Sequence, residues 1–531
     1  MNNSFRSFFC LILFSSFIDF GFSQTADSAA ARRVVLEHAD EIRGGTLTEL
    51  NDSLLTSEPV RILIGNVRLR DSTTSVRCDT AVEYLQSRKV RLASKKNGLA
   101  TIVRDTVTIQ GVQGFYFPSD SRAEMKGSVS LRDNTVTLRS ALGTYFTEEQ
   151  RAVFSENVSL RDSTNTVFTD SLIFFRRENR TIVIGNTRIL NTADNVEIRG
   201  GFAEHFLKQN RSRITLSPML LKFDSSKSEA NLSIDTLLIV AKEMKSFRGF
   251  EDTLKRIEML DSVKIQRGLL SALAQKAVYL FDSLRISLYE SPILWFDASQ
   301  LTGDSIFVQL EEVSDSLESA KGKIQEEVTT ERKVNKSPSR KKTRLKSIAV
   351  YGSAFLVSRD TMNTEGNKFN QVSGRNIFLS FNNDSRLSRA DVYREAQSLY
   401  FTYDDSTAKG ANLTSGDEIN LFFEDGSATK IVVKGDVEGA QYPERLLARL
   451  NNLEGFEWRE NERPRLTLPP VTENPVSPKS KSNKRTKPAV KKKSSQVQGP
   501  SAKPETINPN IKPTPKPVPK SNRERFEKGI Q

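Results

Sequence analysis

Three copies of one phrase decide the fold of this chain. They read MKGSVSLRDNTVTLRSALGTYF from Met125, FSENVSLRDSTNTVFTDSLIFF from Phe154 and IGNTRILNTADNVEIRGGFAEHF from Ile184. The copies follow one another in steps of 29 residues, measured between Ser128, Asn157 and Asn186. A fixed period of this size is typical of supersecondary units stacked in series. The sequence therefore predicts a repeat protein.

Each copy predicts two strands joined by a turn. Apolar residues fall at every second position, as in Val129 and Leu131, which is the pattern of a strand with one buried face. A polar step such as Arg132-Asp133-Asn134 separates the two strands, and Asp and Asn favour turns because their side chains bond nearby backbone groups. One such unit cannot bury its apolar face alone, so the units are expected to stack into two sheets around a shared apolar interior. The predicted fold class is all-β, an elongated open β-jellyroll or β-solenoid-like stack of strand-turn-strand repeats.

The pattern divides the chain into five segments. Repeats cover residues 34–310, and an earlier copy, IGNVRLRDSTTSVRCDTAVEYL, begins at Ile64. Residues 311–347 are charged and are predicted to form a linker or an excursion, because such a stretch cannot bury enough surface to offset its ordering entropy. Strand patterns return in a second block at 348–460, which ends in a predicted short capping helix from Glu444.

The two ends of the chain predict export and a disordered tail. Residues 1–23 combine Arg6 with an apolar run too short to span a bilayer and a small-residue site before Gln24, which is typical of a secretory signal peptide; an uncleaved anchor is the alternative. The tail, 465–531, holds 16 Lys and Arg against 4 Asp and Glu and 12 of the 19 prolines. Almost all of the net charge of +13 therefore belongs to this Lys- and Pro-rich tail, which is predicted to be disordered.

The sequence offers little for catalysis. It contains no phosphate-binding loop, no dinucleotide fingerprint, no H-E-x-x-H and no G-x-S-x-G, and its two histidines, His38 and His205, have no ligand-spaced partners. Asp79 and Asp170 recur at equivalent repeat positions, which favours a turn or ladder role over a catalytic pair. The single mature cysteine, Cys78, shares the buried parity of its strand. No enzyme activity, cofactor, metal site or nucleic-acid partner is therefore expected.

The quoted phrases resemble the OstA/LptA family, the organic-solvent-tolerance-like β-jellyroll repeat proteins of lipopolysaccharide transport. The shared features are a G-N-V-type start, an alternating strand, a polar turn and a second strand that ends near Asp and Tyr, over residues 34 to 310 and again from 346 to 442. The resemblance implies a protein of the periplasm, with association with the outer membrane as a further expectation. It also implies an apolar groove for the acyl chains of lipopolysaccharide or another envelope lipid, and edge-strand addition to other jellyroll transport components.

Ten apolar residues are predicted to line this groove. A closed sandwich core, as in a structural β-solenoid scaffold or adhesin, is the alternative explanation of the same pattern. The basic tail has two interpretations as well, contact with an anionic surface or a solvated spacer. The predicted groove residues are Val67, Leu69, Val76, Val129, Leu131, Val136, Leu138, Val158, Leu160 and Val167.

Overall fold

The structure is a computed structural model that describes most of residues 34–469. The gaps are 52–53, 72, 95–97, 224–235, 249–254, 315–340, 361, 363–367, 405–406 and 425–426. The predicted signal peptide, nearly all of the predicted tail and most of the charged segment 311–347 lie outside the described residues.

The described residues form an antiparallel β-stack, which confirms the predicted all-β fold of repeated strand-turn-strand units. The strands of the N-terminal part are β1 (Val35–His38), β2 (Glu41–Asn51), β3 (Leu54–Asp71), β4 (Thr74–Tyr84), β5 (Val90–Ala93), β6 (Ala100–Arg104), β7 (Val107–Gly111), β8 (Gln113–Phe117) and β9 (Arg122–Arg132). The three central copies supply β10 (Thr137–Phe146), β11 (Arg151–Arg161), β12 (Asn165–Phe175), β13 (Arg180–Asn191) and β14 (Val196–Phe206).

The array continues without interruption of pairing into the C-terminal part. Its next strands are β15 (Arg211–Thr215), β16 (Met219–Lys222), β17 (Leu237–Val240), β18 (Glu243–Phe247), β19 (Arg256–Arg267), β20 (Leu270–Leu280), β21 (Arg285–Tyr289), β22 (Ile293–Phe296), β23 (Ser299–Thr302) and β24 (Ser305–Ser314). The last strands are β25 (Lys341–Arg359), β26 (Phe369–Phe381), β27 (Leu387–Asp404), β28 (Thr407–Glu424), β29 (Ser427–Lys434) and β30 (Glu438–Pro443). Because β25 pairs with both β23 and β24, the second block extends the same stack.

Each long strand contributes to two layers. For example, the Thr80–Glu83 part of β4 pairs with β5, whereas its Thr74–Arg77 part pairs with β6. A β-bulge interrupts the register of most long strands between the two parts, as at Ile64/Val67 in β3 and Ile184/Thr187 in β13. Such bulges let a strand turn a corner from one layer of a sandwich to the other.

The corner explains the Gly-Asn start of the repeat. Gly185 has φ 99°, a left-handed backbone that disfavours a β-carbon, and a β-carbon there would also collide with the carboxylate of Asp170 on β12. That carboxylate accepts hydrogen bonds from the backbone N–H of Asn186 at 2.9 Å and from its Nδ2 at 3.0 Å. Asp170 therefore caps a corner, which is the turn role expected from its repetition. Ser128 and Asn157, which define the 29-residue period, also lie at corners with positive φ.

Two rows of inward side chains run through the stack, one in each layer, and both belong to one hydrophobic core. The first ladder consists of residues that are direct cross-strand partners in one layer: Leu63, Ala81, Leu92, Gly114, Met125, Gly143, Phe154, Leu172, Val183, Ala203, Ile214, Met244, Met259, Ala277, Leu288, Ile306, Val350, Ile377, Val392, Ile419 and Val433. The second ladder consists of the corresponding partners in the other layer: Leu36, Leu69, Val76, Ile102, Ile109, Leu131, Leu138, Leu160, Val167, Ile189, Ile198, Leu220, Ile239, Ile265, Ala272, Leu294, Leu301, Leu356 and Val372.

The chain returns over the outside of the second layer after β30. A 3-10 helix, Glu444–Arg449, follows the last strand, so the helical stretch is shorter than the sequence pattern from 444 to 458 indicates. Residues 450–469, the C-terminal strap, then cross the outer face of β26, β25 and β23 and reach β19. The strap therefore runs back along the array, from the edge strands β29 and β30 to β19.

Three glutamines hold the backbone of the strap. Gln300 donates its Nε2 to the carbonyl of Glu457 at 2.7 Å and accepts the N–H of Arg459 at 2.7 Å. Gln371 accepts the N–H of Leu453 at 2.9 Å, and Gln266 accepts the N–H of Leu466. Gln300 and Gln371 are each only 1% exposed, so these amides satisfy backbone groups that would otherwise be buried without partners.

An apolar cluster between the strap and the outer face completes this packing. Leu453, Phe456 and Trp458 of the strap pack with side chains that alternate with the inner ladder, such as Phe355 and Val357 of β25. These strands are therefore apolar on both faces, unlike a sandwich strand with one wet face.

Candidate functional site

All ten predicted groove residues lie on the inner faces of the stack. Six of them belong to the second ladder: Leu131, Leu138, Leu160 and Val167 are cross-strand neighbours in that order, and Leu69 lies opposite Val76 nearer the N-terminus. Val67, Val129 and Val158 occupy the neighbouring inward row beside the corners, and Val136 lies just before β10. The structure thus brings the predicted residues together along one side of the interior.

Their burial differs along the chain. Val136 is 9% exposed and seven others are 3% exposed or less, whereas Leu160 and Val167 are only partly buried against the core. Ile189, the next residue of the second ladder, is also partly buried. Further along the same ladder, Leu294 and Leu301 are both fully buried. The interior is therefore sealed in most places and partly accessible from β11 to β13.

A polar row interrupts the interior beside this accessible stretch. In the first layer, one inward row lies nearest the ends of the strands. On either side of the polar row it consists of buried apolar residues, such as Ala152 on β11 and Ile257 on β19. Between them the cross-strand partners are Thr181, His205, Ser212 and Ser246. His205 Nδ1 lies 2.9 Å from Ser212 Oγ. A hydrogen-bonding surface thus replaces the apolar lining at this point.

Burial lowers the pKa of His205, because the interior disfavours the charged imidazolium. Asp162, on the facing layer, shows the opposite balance: burial would raise the pKa of its carboxyl, but hydrogen bonds from the N–H groups of Thr164 and Asn165 outweigh burial and lower it. The histidine therefore remains neutral near pH 7 while the aspartate is charged.

A cavity of about 30 Å³ lies between the two layers at the same place. Its wall is apolar at Ile189, Ile198 and Ile257 and polar at Arg248 and Lys255. Arg248 donates Nη1 to Thr164 Oγ1 at 3.3 Å and so bridges the end of β18 to the β11–β12 turn of the other layer. A cavity of this size holds one or two water molecules, so it cannot hold an acyl chain unless the layers separate here.

His38 and Cys78, the other side chains considered for a chemical role, have contacts typical of structural residues. His38 Nδ1 lies 3.1 Å from the carbonyl of Asn66 at a corner, which fits the structural role expected of it. Cys78 is buried, and this burial raises the pKa of its thiol to about 12, so the thiol is unreactive at neutral pH. Within the described residues no group of three His, Cys, Asp or Glu side chains is arranged to hold a metal. The described part of the chain also has no helix of the length and apolarity needed to cross a bilayer.

The fold and the interior define a class of protein, an all-β stack of corner-turning repeats around an apolar core with one polar interruption. Residues 31–142 match the family model of the OstA-like proteins. The predicted resemblance to the OstA/LptA family is thereby confirmed over residues 31–142.

Among solved structures, one similar chain is LptH from Pseudomonas aeruginosa, the LptA-homologous periplasmic component of its lipopolysaccharide transport device. The identity is 16%, the match covers 24% of this chain and 83% of that chain, and the TM-score is 0.19. No curated protein matches this chain.

Proposed function

We propose that this chain is a non-enzymatic lipid-carrying protein of the periplasm, which serves lipopolysaccharide transport and outer-membrane assembly. The OstA-like region supports the class of function, and the second ladder is the observation that carries the proposal. It offers an uninterrupted apolar row from Leu69 to Val372 that acyl chains follow without polar recognition. Each buried CH₂ of such a chain contributes about 0.8 kcal/mol.

The accessible part of the ladder is where lipid contact is expected. Leu160 and Val167 are the two predicted groove residues that remain partly exposed, so an acyl chain gains burial there without displacing a fully packed side chain. Passage to the neighbouring residues of the row requires small separations of the layers. Neighbouring sites of the ladder present similar side chains, so their affinities for an acyl chain are expected to be similar.

Photo-crosslinking in cells tests the proposal. A crosslinking amino acid at Leu160 and at Leu131 is expected to give a lipopolysaccharide adduct, with the larger yield at the partly exposed Leu160. The outward-facing Arg161, the next residue of β11, provides the matched control and should give none. Absence of adducts at both inward positions in a folded, exported protein would rule out carriage through this interior.

A structural scaffold with a packed core is the second candidate, and burial favours it. Val67, Val129 and Val158 are each 1% exposed, and the cavity is too small for a lipid. Lipid extraction of the purified full chain followed by mass spectrometry separates the two functions. A carrier retains acylated envelope lipid in a fixed molar ratio, whereas a scaffold yields only the background found with an unrelated exported protein.

The two ends of the array are proposed sites for other jellyroll components. Among the described strands, β1 and β2 pair only with β3, while β29 and β30 pair only with β28. Unpaired edges accept an additional strand, which joins two stacks into one. Pull-down of candidate components by the full chain, with proline substitutions in β2 or β29, tests this contact.

The basic tail is proposed to contact an anionic surface. Its Lys and Arg residues each contribute up to about 1 kcal/mol near an anionic membrane, and the contribution falls with salt. Flotation with vesicles that contain anionic lipid should retain the full chain at low salt and lose a chain truncated after Pro469. Equal flotation of the two proteins would assign the tail a spacer role.

A further inference from the structure

We infer that the outer face of β9, β10 and β11 is a surface for the headgroups of anionic phospholipids in a membrane, which contact Arg132, Arg139 and Arg161. These three residues, the arginine triad, lie on the second layer, on the side of the sheet that faces away from the apolar interior. Such a surface goes beyond the proposed function, because it involves neither the interior nor a carried lipid.

The arginine triad follows from the alternation that builds the second ladder. Leu131, Leu138 and Leu160 point into the interior, so the residue after each of them, which is always an arginine, points outward. All three arginines are exposed. Among the described residues, none of their guanidinium groups has an ion pair or a hydrogen bond. They are therefore available to a partner from outside the chain.

Strand pairing brings the three arginines together. Thr137 on β10 pairs with Arg132 on β9 and with Arg161 on β11. Arg132 and Arg161 are thus two strand spacings, about 10 Å, apart, and Arg139 lies diagonally between them. Three like charges this close repel one another, so the arginine triad does not stabilise the sheet.

The carboxylates at the ends of these strands face the other layer. Asp133 and Asp105 lie 3.6 Å and 3.8 Å from the guanidinium of Arg176, at the β12–β13 turn. Asp133 follows Arg132 directly, so this strand directs the cation outward and the carboxylate inward.

The next copy of the repeat uses Asp162, which follows Arg161, in the same way. Its carboxylate accepts two backbone N–H groups of the β11–β12 turn, and Arg248 of the other layer donates to the same turn at 3.3 Å. Arg104 is a third inward cation at these strand ends. Three inward arginines thus balance the three inward carboxylates, and the arginine triad adds positive charge to this balance. The exposed Glu156, at the β11 corner, offsets one of its charges at most.

The rest of this outer face carries hydroxyl groups. The other outward residues of the three strands are Ser130, Thr137 and Ser159. The centre of a protein–protein interface is enriched in aromatic side chains, and single-stranded nucleic acid stacks on aromatic rings, but these outward positions hold neither aromatic nor apolar residues. A flat face of guanidinium and hydroxyl groups matches a plane of phosphate groups, to which arginine donates charge-assisted hydrogen bonds.

The same layer has a different outer face where the strap covers it. Outward side chains there, such as Phe355 and Trp295, are apolar and buried. The described part of the strap reaches β19 through Leu466 and leaves β9 to β11 open. The layer is therefore apolar under the strap and cationic on the open strands that carry the arginine triad.

The expected contribution is one of orientation. Three arginines close to an anionic leaflet raise partitioning on the order of a hundredfold at most. This is too little to hold a whole chain on a membrane, so the arginine triad acts together with other basic residues of the chain. It turns the outer face of the second layer toward the leaflet.

Partitioning of the full chain into vesicles of equal parts phosphatidylcholine and phosphatidylglycerol tests the surface. Arg132→Gln/Arg139→Gln/Arg161→Gln should lower partitioning about tenfold or more, because each arginine contributes attraction to the leaflet. Vesicles of phosphatidylcholine alone should not distinguish the variant from the wild type.

The matched control removes the same charge elsewhere. Arg375→Gln/Arg394→Gln/Lys430→Gln replaces three exposed cations away from this face and should change partitioning less than about twofold. An equal loss in both variants would reduce the effect to net charge and overturn the surface.

A fluorescent label gives the orientation independently, in a chain that keeps all three arginines. On Ser130→Cys, beside the arginine triad, the label should be quenched by lipids with a quencher on the headgroup. On Thr144→Cys, which points outward from the first layer on the neighbouring strand β10, it should not be quenched. Cys78 stays unlabelled at neutral pH, because burial raises the pKa of its thiol to about 12. Equal quenching at the two positions would overturn the surface even if the glutamine variant proved unstable.

Lysine substitution separates a leaflet from a site for one anion. Arg132→Lys/Arg139→Lys/Arg161→Lys should keep partitioning within about threefold of the wild type, because attraction to a leaflet depends on charge. A loss as large as that of the glutamine variant would indicate bidentate recognition of a single anion and overturn the leaflet. Unchanged partitioning of the glutamine variant together with lost binding to immobilised heparin would assign the arginine triad to a soluble polyanion instead. None of these outcomes affects lipid carriage, which crosslinking at Leu160 tests.

Discussion

The central strands β11 to β14 and the C-terminal strands β22 to β28 are built from the same repeat but packed differently. In the central strands the second ladder is partly exposed at Leu160 and Val167, and polar residues enter the interior. In the C-terminal strands Leu294 and Leu301 are fully buried. The C-terminal strands also carry the strap on their outer face, held by Gln300 and Gln371.

The comparison teaches that the repeat specifies strands and corners, whereas closure of the interior depends on what lies around it. Strands that are apolar on both faces pack against the strap on the outer face and against the core on the inner face. They cannot move apart without exposing both apolar faces to water. Strands covered on one face can separate at lower cost. The strands that we propose to accept lipid are among those that the strap leaves uncovered.

Removal of the strap should have the largest effect on this contrast. Truncation after Pro443 exposes the outer apolar cluster around Phe355 and Val357 and should lower the stability of the C-terminal strands by at least about 5 kcal/mol. Chemical denaturation and hydrogen exchange of β25 to β28 measure it. A truncation after Pro469 retains the strap and is the control, and equal stability of the two proteins would contradict the role of the strap.

Matched substitutions in the second ladder compare the two regions directly. Leu294→Ala should cost about 4 kcal/mol, because it opens a cavity in a fully buried site, whereas Leu160→Ala should cost about 2 kcal/mol at its partly exposed position. Denaturation curves of both variants give the difference. Equal costs would remove the packing distinction between the regions.

The corners should behave alike in both regions, which limits the contrast to packing. Gly185→Ala and Gly352→Ala each place a β-carbon at positive φ against an aspartate carboxylate, of Asp170 and Asp304, and each should cost about 2 to 3 kcal/mol. The thermal unfolding of the two variants checks this. A loss at Gly352 several times that at Gly185 would mean that corner strain also depends on the region.

His205 should give the smallest effect, a pH dependence confined to the central region. Because burial lowers its pKa in the folded state, the unfolded chain binds the proton more strongly, and stability falls as the pH drops below about 6.5. His205→Gln should remove this part of the decline between about pH 7 and pH 5. Hydrogen exchange of β13 to β15 at both pH values measures it, and an unchanged pH dependence in the variant would show that the histidine is not responsible.

The inward positions of the ten predicted groove residues followed from the sequence, because the information that sets them is local. Alternation of apolar residues fixes which face of a strand is buried, so all ten residues from Val67 to Val167 lie inside as expected. Whether that inside binds lipid is a separate matter, since alternation is the same in a groove and in a packed core.

Two features escaped the sequence reasoning for different reasons. His205 was assigned a structural role because it lacks ligand-spaced partners in the sequence, but Thr181, Ser212 and Ser246 become its neighbours only through strand pairing. A usable signal was present, since these residues occupy inward positions of their strands. The strap was harder to predict. The sequence pattern from Glu444 to Trp458 indicates a helix, but in this stretch only Glu444–Arg449 is helical, and the residues after it extend across the sheet.

The sequence by itself determined the strands, their inward faces and the corners, because a two-residue alternation, a polar turn and a left-handed Gly-Asn step each act over a few neighbouring residues. Only the tertiary structure decided where the interior is sealed and where it is accessible. That outcome depends on contacts between residues separated by more than a hundred positions, such as Gln300 with Glu457. No local pattern encodes them, because they exist only after two layers and a returning strap have packed together.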